Sequence, residues 1–431
     1  MKSQITNYKF QIEDKIEEKS VASGEPKWLK EKRLEAWQRF QDIPSTDTDN
    51  ETWMRTDISK LNLTEIIEGV ASQDNGFKIE LAFDKDVQTK GVIFTDIKSA
   101  LLKHSDLIKK YFLTKYPLKD TERFLSLHTA LWRDGVFLYL PSNPALKTPF
   151  RIISNMKSRA GNFPHSIIII EKGGRASVIE ENYSEPPLHP LLLKEGKEGR
   201  SIEKENKQNF TVSMVEVFVG EDAELNYSYV QNLSMNAYNI PIRRVYVEKN
   251  GKINWTQVDV GGRLTKSFTE ITLKGRGSSS NVYGIVAGSG KQHFDISPVI
   301  YHQVEETKGN VLIKGVLSGS ARSVFQGLVK IDKAGRKADS YLANHNLILS
   351  EGARADTIPK LEIDIGDVSA SHGATVGEID SDQLFYLMSR GLSAVEAQEM
   401  IVNGFVEPII LNIDSEELRE KVRNIISDKL K

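Results

Sequence analysis

The sequence predicts a mainly β protein whose centre is a parallel β-helix, or solenoid, flanked by helical sections. Short β-branched and aromatic segments follow one another from about residue 131 to about residue 365. Between them recurs an imperfect pattern of a Gly, a small or polar residue and an alternating segment, at an irregular spacing that stacked coils tolerate. The 431 residues also exceed the size at which one compact core stops growing. A β-sandwich would have a comparable density of strands and stays open as the alternative.

The first section, residues 1–125, is predicted to be helical or mixed. Pro26 suits the first turn of a helix, and the pattern predicts an amphipathic helix over 26–41. A polar loop is expected at 44–50, and helical or mixed patterning resumes over 61–70 and 96–116. The apolar face of the 26–41 helix is predicted to consist of Leu29, Arg33, Ala36, Trp37 and Phe40.

The second section, residues 126–379, is predicted to form the β-helix core. Its first β-type segment is aromatic and β-branched and runs between Gly135 and Pro141. The further predicted strands are 166–170, 211–219, 245–248, 254–260, 268–273, 282–287, 311–317, 324–331, 341–349 and 361–365.

The third section, residues 380–431, is predicted to be a small module of three helices. Asp380 with Gln383 and Ser393 with Glu396 form capping-box patterns at two helix starts, and Gly404 is expected to close the second helix. The third helix is expected to begin near residue 414 or 415. Its apolar stripe at helical spacing consists of Leu418, Val422, Ile425, Ile426 and Leu430.

Composition excludes several kinds of chemistry. The chain has no cysteine, which excludes disulfides, thiol nucleophiles and Cys-ligated zinc within it. The 57 Lys and Arg nearly balance the 59 Asp and Glu, and no basic run predicts nucleic-acid binding. The first 25 residues lack the apolar core of a secretory signal, and no stretch of about 18 apolar residues predicts a membrane span. We therefore expect a cytoplasmic protein without membrane attachment.

His372 is the main candidate for a functional residue. The eight histidines are scattered without the close spacing of a self-contained metal site. Residues 369–374 surround His372 with almost no side-chain bulk, so a partner chain or an ion could approach its ring closely. The alternative is a structural histidine that caps the last coil. A structural role in a strand is expected for His345, and a solvated turn is expected around His293.

Catalytic motifs are not supported by the sequence. Residues 284–291 resemble a phosphate loop superficially, but their spacing is wrong and Gln292 replaces the required hydroxyl residue, so a strand and a turn are expected. The carboxylates of Glu362, Asp364 and Asp367 raise the alternative of a carbohydrate-active β-helix enzyme, a polysaccharide lyase or hydrolase. Such enzymes normally act outside the cell, and a solvated strand face is favoured for these three residues.

Several segments, in order along the chain, resemble the SufB/SufD family of scaffold subunits for iron-sulfur cluster assembly. The SufD branch is indicated because SufB members carry sulfur-accepting cysteines, whereas SufD members offer the histidine that corresponds to His372. Ala370 stands where relatives often have cysteine. The segments that carry the resemblance are 309–317, 323–331, 356–363, 371–377 and 382–392, with 25–34 and 128–132 extending it over the whole chain.

This resemblance implies a right-handed parallel β-helix that pairs with a SufB-like paralogue near its C-terminal end, and a helical tail that docks the SufC ATPase. It implies a non-catalytic subunit with no cofactor stably bound by this chain alone. A transient iron-sulfur cluster would form in the complex, with His372 as a ligand of iron or cluster shared with SufB. Whether the isolated chain forms a homodimer stays open. The residues expected to contact partners are Ser371, Gly373, Phe385, Met388, Met400, Phe405, Leu418 and Val422.

Overall fold

The structure is a computed structural model that describes most of the chain. The described residues are 2–43, 51–72, 77–83, 91–113, 123–156, 161–184 and 208–430. The polar loop expected at 44–50 lies outside them. The helices that the described residues form are Lys2–Ala22 (α1), Lys27–Asp42 (α2), Leu63–Ser72 (α3), Ile97–Tyr111 (α4), Arg123–Leu131 (α5), Ser381–Ser389 (α6), Ala394–Ile410 (α7) and Glu416–Leu430 (α8).

The strands fall into two groups along the chain. Those of the first half are Phe77–Ala82 (β1), Ile93–Asp96 (β2), Val136–Leu140 (β3), Phe150–Met156 (β4), Gly161–Asn162 (β5), His165–Ile170 (β6), Arg175–Ser184 (β7), Asn209–Val219 (β8), Glu224–Asn232 (β9) and Ala237–Val247 (β10). Those of the second half are Lys252–Asp259 (β11), Leu264–Leu273 (β12), Ser279–Gly288 (β13), His293–His302 (β14), Lys308–Leu317 (β15), Arg322–Phe325 (β16), Leu328–Ile331 (β17), Asp339–Ile348 (β18), Arg354–Thr357 (β19), Lys360–Ile363 (β20) and Ser369–Glu378 (β21).

The strands build a parallel β-solenoid of about seven turns, which confirms the predicted β-helix. Consecutive strands alternate between a nine-stranded sheet, in the order β1-β4-β7-β9-β11-β13-β15-β18-β21, and a twelve-stranded sheet that runs from β2 to β19. Among the described strands, antiparallel pairing occurs only between β1 and β4 and between β2 and β3. A β-sandwich consists mainly of antiparallel strands, so that alternative is wrong.

Inward-facing side chains stack in register through the solenoid. On the nine-stranded sheet the rings of Tyr227 and Trp255 are parallel to within 8° with centroids 4.3 Å apart, and both side chains are fully buried. Each apolar residue thus packs on its equivalent in the next coil, which fixes the register of the strands. An outward-facing row of Asn226, Asn254, Asn281 and Asn310 reinforces this register, because each amide donates to the preceding one.

The N-terminal helices cover the twelve-stranded sheet. The predicted amphipathic helix is confirmed as α2, and its buried residues are the five expected from the sequence. Among them Arg33 is charged, but its guanidinium donates to the carboxylate of Glu25 and to the carbonyl oxygens of Ala130 and Trp132. Burial is therefore compatible with its charge because each of its nitrogens has an acceptor.

The two ends of the solenoid differ. At the N-terminal end, β1 runs antiparallel along β4 and β2 runs antiparallel along β3, so the outermost strands of this end run opposite to the strands of the coils. At the C-terminal end, β19, β20 and β21 form the last coil, and no strand of the described chain follows them. The C-terminal end is therefore open.

The C-terminal helices α7 and α8 pack on the outer face of the nine-stranded sheet. Their buried side chains, such as Val406 and Ile409, share a hydrophobic cluster with Val258 and Ile285 of the sheet. The capping box of Ser393 with Glu396 is present at the start of α7, as predicted. The expectation that Gly404 closes this helix is wrong: α7 continues to Ile410, because packing of its later turns on the sheet outweighs the low helix propensity of glycine.

Several strands went unpredicted, and one expected turn is wrong. Strands β4, β7, β9, β14 and β19, among others, were not among the expected strand segments, and the region of His293 was expected to be a solvated turn. His293 instead begins β14 and is partly buried, while Asp295 is completely buried. The reason is an ion pair with Lys266 of the neighbouring strand, which allows two charged residues to be buried between the outer face of the sheet and Thr56.

Of the two predicted section boundaries, one lies near a change of structure and the other does not. The end of β21 at Glu378 and the start of α6 at Ser381 lie near the boundary expected at 379 and 380. At the other boundary, α5 spans residues 125 and 126, and β1 and β2 of the earlier section pair with strands of the solenoid. The division into sections stays a prediction.

None of the helices found in the described ranges is long and apolar enough to cross a membrane.

Candidate functional site

The last strand of the nine-stranded sheet has an open edge. β21 pairs with β18 on one side and, within the described ranges, with no strand on the other. The backbone N–H of Ser369 donates to the carbonyl oxygen of Ala338 on the β18 side. Because parallel strands alternate their hydrogen bonds between the two sides, residues 370, 372, 374 and 376 direct their backbone N–H and C=O groups away from β18. The open edge therefore presents a row of backbone donors and acceptors.

The composition of β21 lacks the usual protection of an edge strand. Its sequence from Ser369 to Glu378 contains no lysine and no proline, and its pairing with β18 is continuous, without a bulge. Proteins normally protect exposed edges with such features because unprotected edges pair with other chains. An unprotected strand of ten residues is suited to receive a strand from a partner.

His372 occupies the last position of an interior column of side chains. It is the register partner of Leu342, which in turn aligns with Val311, and the column continues through Val282 to Trp255. The other four residues of this column are buried in the solenoid core, whereas His372 is exposed. The imidazole therefore covers the open end of the solenoid interior and stays accessible from outside. The sequence left two interpretations of His372 open, a structural cap of the last coil and an accessible ligand, and this placement is compatible with both.

The neighbours of His372 leave its surroundings open. Ser371 is exposed, and a Cβ atom at Gly373 would lie 3.1 Å from the phenol oxygen of Tyr341 on β18, so glycine fits this contact. On the same strand, the hydroxyl of Thr375 lies 2.8 Å from Nδ1 of His345, which accords with the structural role expected for this histidine. Small residues and a tyrosine thus frame an exposed imidazole.

The described residues form no self-contained metal site at this end of the solenoid. In the part of the chain that the structure describes, no group of three or more His, Asp or Glu side chains could hold a metal ion together. Cysteine is absent from the whole sequence. An iron or iron-sulfur species bound at His372 would need its further ligands, thiolates above all, from another molecule.

Three of the residues expected to contact a partner lie on the exposed faces of the C-terminal helices. Phe385 is 73% exposed, Met400 is 52% exposed and Met388 is 43% exposed. Helix α6, which carries Phe385 and Met388, has no buried residue at all. The sequence prediction did not include three further exposed apolar residues of the same helices, and a search for apolar positions on the outer helix faces would have found them. They are Tyr386, Val395 and Leu411.

The other three expected contact residues attach the helices to the solenoid. Leu418 and Val422 are completely buried in the cluster between α8 and the nine-stranded sheet. Phe405 is partly buried, its carbonyl oxygen accepts from Lys314 Nζ at 2.6 Å, and its ring lies 4.7 Å from the same nitrogen. Leu418 and Val422 therefore belong to the core and are not accessible to a partner, whereas the contact predicted for the partly buried Phe405 stays a prediction.

The carboxylates that suggested a carbohydrate-active enzyme do not converge. Glu362 is exposed and pairs with Lys330 at 3.2 Å, and Asp367 is exposed and pairs with Arg336 at 3.3 Å. Asp364 is also exposed. Glycoside cleavage requires two carboxylates that face each other across a substrate groove. The interpretation favoured from the sequence, a solvated surface without a catalytic role, fits these three residues better.

Comparison with known proteins identifies the family. Residues 152–405 match the model of the SufBD core domain of the SUF system for FeS cluster assembly, and residues 71–152 match the N-terminal region of SufBD proteins. The first match includes the open edge strand and His372. This chain belongs to the SufBD family of iron-sulfur cluster assembly proteins.

Its relatives include a SufD protein. The chain is 30% identical to the iron-sulfur cluster assembly protein SufD of Bacillus subtilis (strain 168), over 94% of this chain and 95% of that protein. It is 29% identical to an iron-sulfur cluster assembly SufBD family protein of Staphylococcus epidermidis (strain ATCC 12228), over 96% of this chain and 92% of that protein. The predicted resemblance to the SufB/SufD family, on its SufD branch, is confirmed.

Proposed function

We propose that this chain is a non-catalytic, SufD-like subunit of a SufBCD-type scaffold for iron-sulfur cluster assembly. In this scaffold it pairs with a SufB-like paralogue at the open end of its solenoid and docks a SufC-like ATPase on its C-terminal helices. His372 contributes one nitrogen ligand to the iron or cluster held between the two scaffold subunits. The observation that carries this proposal is the placement of an accessible imidazole on an unprotected edge strand.

Pairing through β21 is supported by the backbone geometry of the edge. A strand from the partner would satisfy the outward N–H and C=O groups at residues 370, 372, 374 and 376, and backbone hydrogen bonds are the main source of affinity in this type of recognition. A paralogue with the same solenoid architecture would present a matching last coil. The two interiors would then continue into each other.

The proposed role of His372 follows from ligand chemistry. Imidazole binds iron in its neutral form and occurs beside thiolates in some iron-sulfur centres. A chain without cysteine supplies no thiolate, so the SufB-like partner would provide the sulfur ligands. Since His372 lies next to the edge that receives the partner, one donor from each subunit could reach the same ion. The cluster is cargo in this arrangement and leaves with an acceptor.

The proposed ATPase contact is supported by the exposed apolar residues of α6 and α7. Phe385, Met388 and Met400 are unusually exposed for large apolar side chains on two successive helices. The helices themselves are held on the solenoid by buried residues such as Leu418. Movement of a docked ATPase would therefore be transmitted to the solenoid through a packed connection.

The decisive experiment is reconstitution of the complex with the His372→Ala variant. The chain is co-expressed with a SufB-like and a SufC-like protein, and iron and acid-labile sulfide are measured per purified complex. We expect His372→Ala to preserve the three-subunit complex and to lose most of its iron and sulfide. The matched control is His104→Ala on α4, a partly buried histidine of the N-terminal section, which should retain both.

Two results would contradict the proposal. Unchanged iron and sulfide in the His372→Ala complex would remove the ligand role. Failure of the wild-type chain to co-purify with either partner would remove the scaffold role.

A further inference from the structure

A cavity of about 400 Å³ lies on the twelve-stranded sheet, on the opposite side of the solenoid from the C-terminal helices. One wall is a segment that we call the strap, residues 51–60, which lies across the outer face of β12, β14 and β16. The strap is fixed by contacts along its length: the hydroxyl of Thr56 donates to Asp295, and the carbonyl oxygen of Arg55 accepts from Arg322 at 3.5 Å. The cavity is therefore a built feature of the fold and has the size of a small-molecule site.

A buried ion pair lies beneath the strap. Nζ of Lys266 lies 2.6 Å from Asp295, and both side chains are completely buried. The ring of Trp53 lies 5.6 Å from this nitrogen, and Gln326 also donates to Asp295 at 3.0 Å. Since this pair is balanced internally, it adds no net charge to the cavity.

The cavity lining has an excess of positive charge. Arg55, Lys60, Arg263 and Lys291 line it, and none of them forms an ion pair with another residue in the described ranges. Arg322 also lines it but is neutralised by Asp356, and the acidic residue of the lining is Asp57. Asp57 partly offsets the charge of Lys60, and Glu51 partly offsets that of Arg55, so the net positive charge of the lining comes mainly from Arg263 and Lys291.

One of these cations also has an unused hydrogen-bond donor. Nη1 of Arg55 is buried from solvent and has no hydrogen-bond partner among the described residues. A buried guanidinium nitrogen without an acceptor is unfavourable, because it has lost water without gaining a bond. An anionic oxygen in the cavity would remove this deficit. The unpaired donor and the excess charge are separate observations, and both indicate an anion.

The remaining lining is suited to an organic group. Trp53, Tyr238 and Leu264 contribute aromatic and apolar surface beside the cations. His293 also lines the cavity, and burial lowers its pKa to about 4, so it faces a ligand as a neutral imidazole. Arginine forks and lysine ammonium groups together match the several oxygens of a phosphate better than those of a single carboxylate.

We propose that the cavity under the strap binds a small phosphorylated molecule. Arg263 and Lys291 at the entrance attract the phosphate, Arg55 donates to it from the interior, and the aromatic wall contacts the organic part. This site is on the other sheet from His372 and is independent of the proposed cluster-assembly role.

The test uses the full-length chain and pyrophosphate as the probe in isothermal titration calorimetry. We expect one saturable site whose affinity falls as salt is raised, because the contacts are ionic. The double variant Arg263→Gln/Lys291→Gln removes two exposed cations and should weaken binding by about 10-fold to 100-fold. The charge-matched control is Lys308→Gln/Lys333→Gln, which removes two exposed lysines outside the cavity and should bind as the wild type does.

A second readout locates the bound anion. The ring resonances of His293, assigned by their loss in His293→Gln, should shift on titration with pyrophosphate, because a nearby anion raises the pKa of the imidazole. No saturable binding, equal loss of affinity in both double variants, or unshifted His293 resonances would overturn the proposal. Tighter binding of citrate than of pyrophosphate would overturn the assignment to a phosphate and indicate a polycarboxylate.

Discussion

His372 aligns in register with Leu342, so the side chain that follows the last buried leucine of an interior column is an exposed imidazole. A leucine in this column is needed to fill the core, whereas a histidine at its end is not. The two positions therefore separate a structural requirement from a functional one.

The first prediction concerns this pair. Leu342→Ala should lower the free energy of unfolding by about 2 to 5 kcal/mol, because it leaves a cavity in the core. His372→Ala should change it by about 0.5 kcal/mol or less, because the side chain is exposed. Urea denaturation of the isolated chain measures both values. A large loss of stability in His372→Ala would show that the histidine is mainly a structural cap.

The second prediction tests the open edge of β21 with two substitutions at one residue. Ala374→Pro removes an outward-facing N–H and leaves the bonds to β18 intact, whereas Ala374→Val keeps that N–H. We expect the proline variant to fold and to lose most of its binding to the SufB-like partner, and the valine variant to keep it. Co-purification and melting temperature are the measurements. Equal binding by both variants would contradict pairing through this edge.

The third prediction concerns the attachment of the C-terminal helices. Leu418→Ala should destabilise the contact of α8 with the sheet by about 2 to 4 kcal/mol, and hydrogen exchange of α7 and α8 should accelerate. Phe385→Ala, on the exposed side of α6, should leave exchange unchanged and weaken binding of the SufC-like ATPase. Leu102→Ala, which removes an exposed leucine of α4, is the control for loss of apolar surface elsewhere. Slow exchange in Leu418→Ala would contradict the packing role.

The fourth prediction concerns the buried ion pair beneath the strap. Asp295→Ala should cost about 3 to 5 kcal/mol, because it leaves Lys266 buried without a counter-charge. Lys266→Met should cost less, since Thr56 and Gln326 still donate to Asp295. The double variant should be more stable than the sum of the two losses predicts.

The control for this cycle is the exposed pair of Arg336 with Asp367, whose coupling should stay below about 1 kcal/mol. Additive losses at Lys266 and Asp295 would show that the two charges do not interact in the folded chain.

The fifth prediction is a pH dependence that comes from a buried carboxyl group. Glu216 accepts from the backbone N–H of Leu113 and lies 2.9 Å from His165, and burial raises the pKa of Glu216 from 4.5 to about 8. Its contribution to stability is therefore complete below pH 4.5 and is lost as the pH rises to about 8. Burial lowers the pKa of His165 from 6.5 to about 3, so its contribution is present above pH 6.5 and is lost as the pH falls towards 3.

Glu216→Gln isolates the carboxyl effect. Glutamine can accept from Leu113 and donate to His165 as the protonated acid does, so the variant should match the wild type near pH 5. At pH 8.5 it should be more stable by about 1 to 3 kcal/mol, because only the wild type must ionise a buried group. Urea denaturation at both pH values measures the difference. A difference that is independent of pH would show that Glu216 is already ionised in the folded chain.

Sequence periodicity was sufficient to predict buried residues where an element buries one continuous face. All five inward residues of α2 were predicted, because they form one stripe at helical spacing that packs mainly on α5. Strand β14 was missed for the opposite reason: Asp295 is charged yet buried, and its partner Lys266 lies 29 residues earlier in the chain. Local patterns do not reveal a long-range ion pair.

The candidate site was also predictable only in part, because local sequence features do not show the long-range register of the strands. The small residues around His372 are visible in the sequence, but its place at the end of a column depends on the register of β21 with β18. Likewise, Leu418 and Phe385 both fit an apolar helix stripe, and only the docking of α8 on the sheet distinguishes the buried one from the exposed one.

The two ends of the solenoid carry edge strands of different length. β21 at the C-terminal end has ten residues, whereas β1 and β2 at the N-terminal end have six and four. A long edge can receive a strand along its whole length, whereas short edges offer few backbone hydrogen bonds to a partner. Pairing at the long edges alone produces a particle of two chains, because a head-to-tail fibre needs both ends to pair.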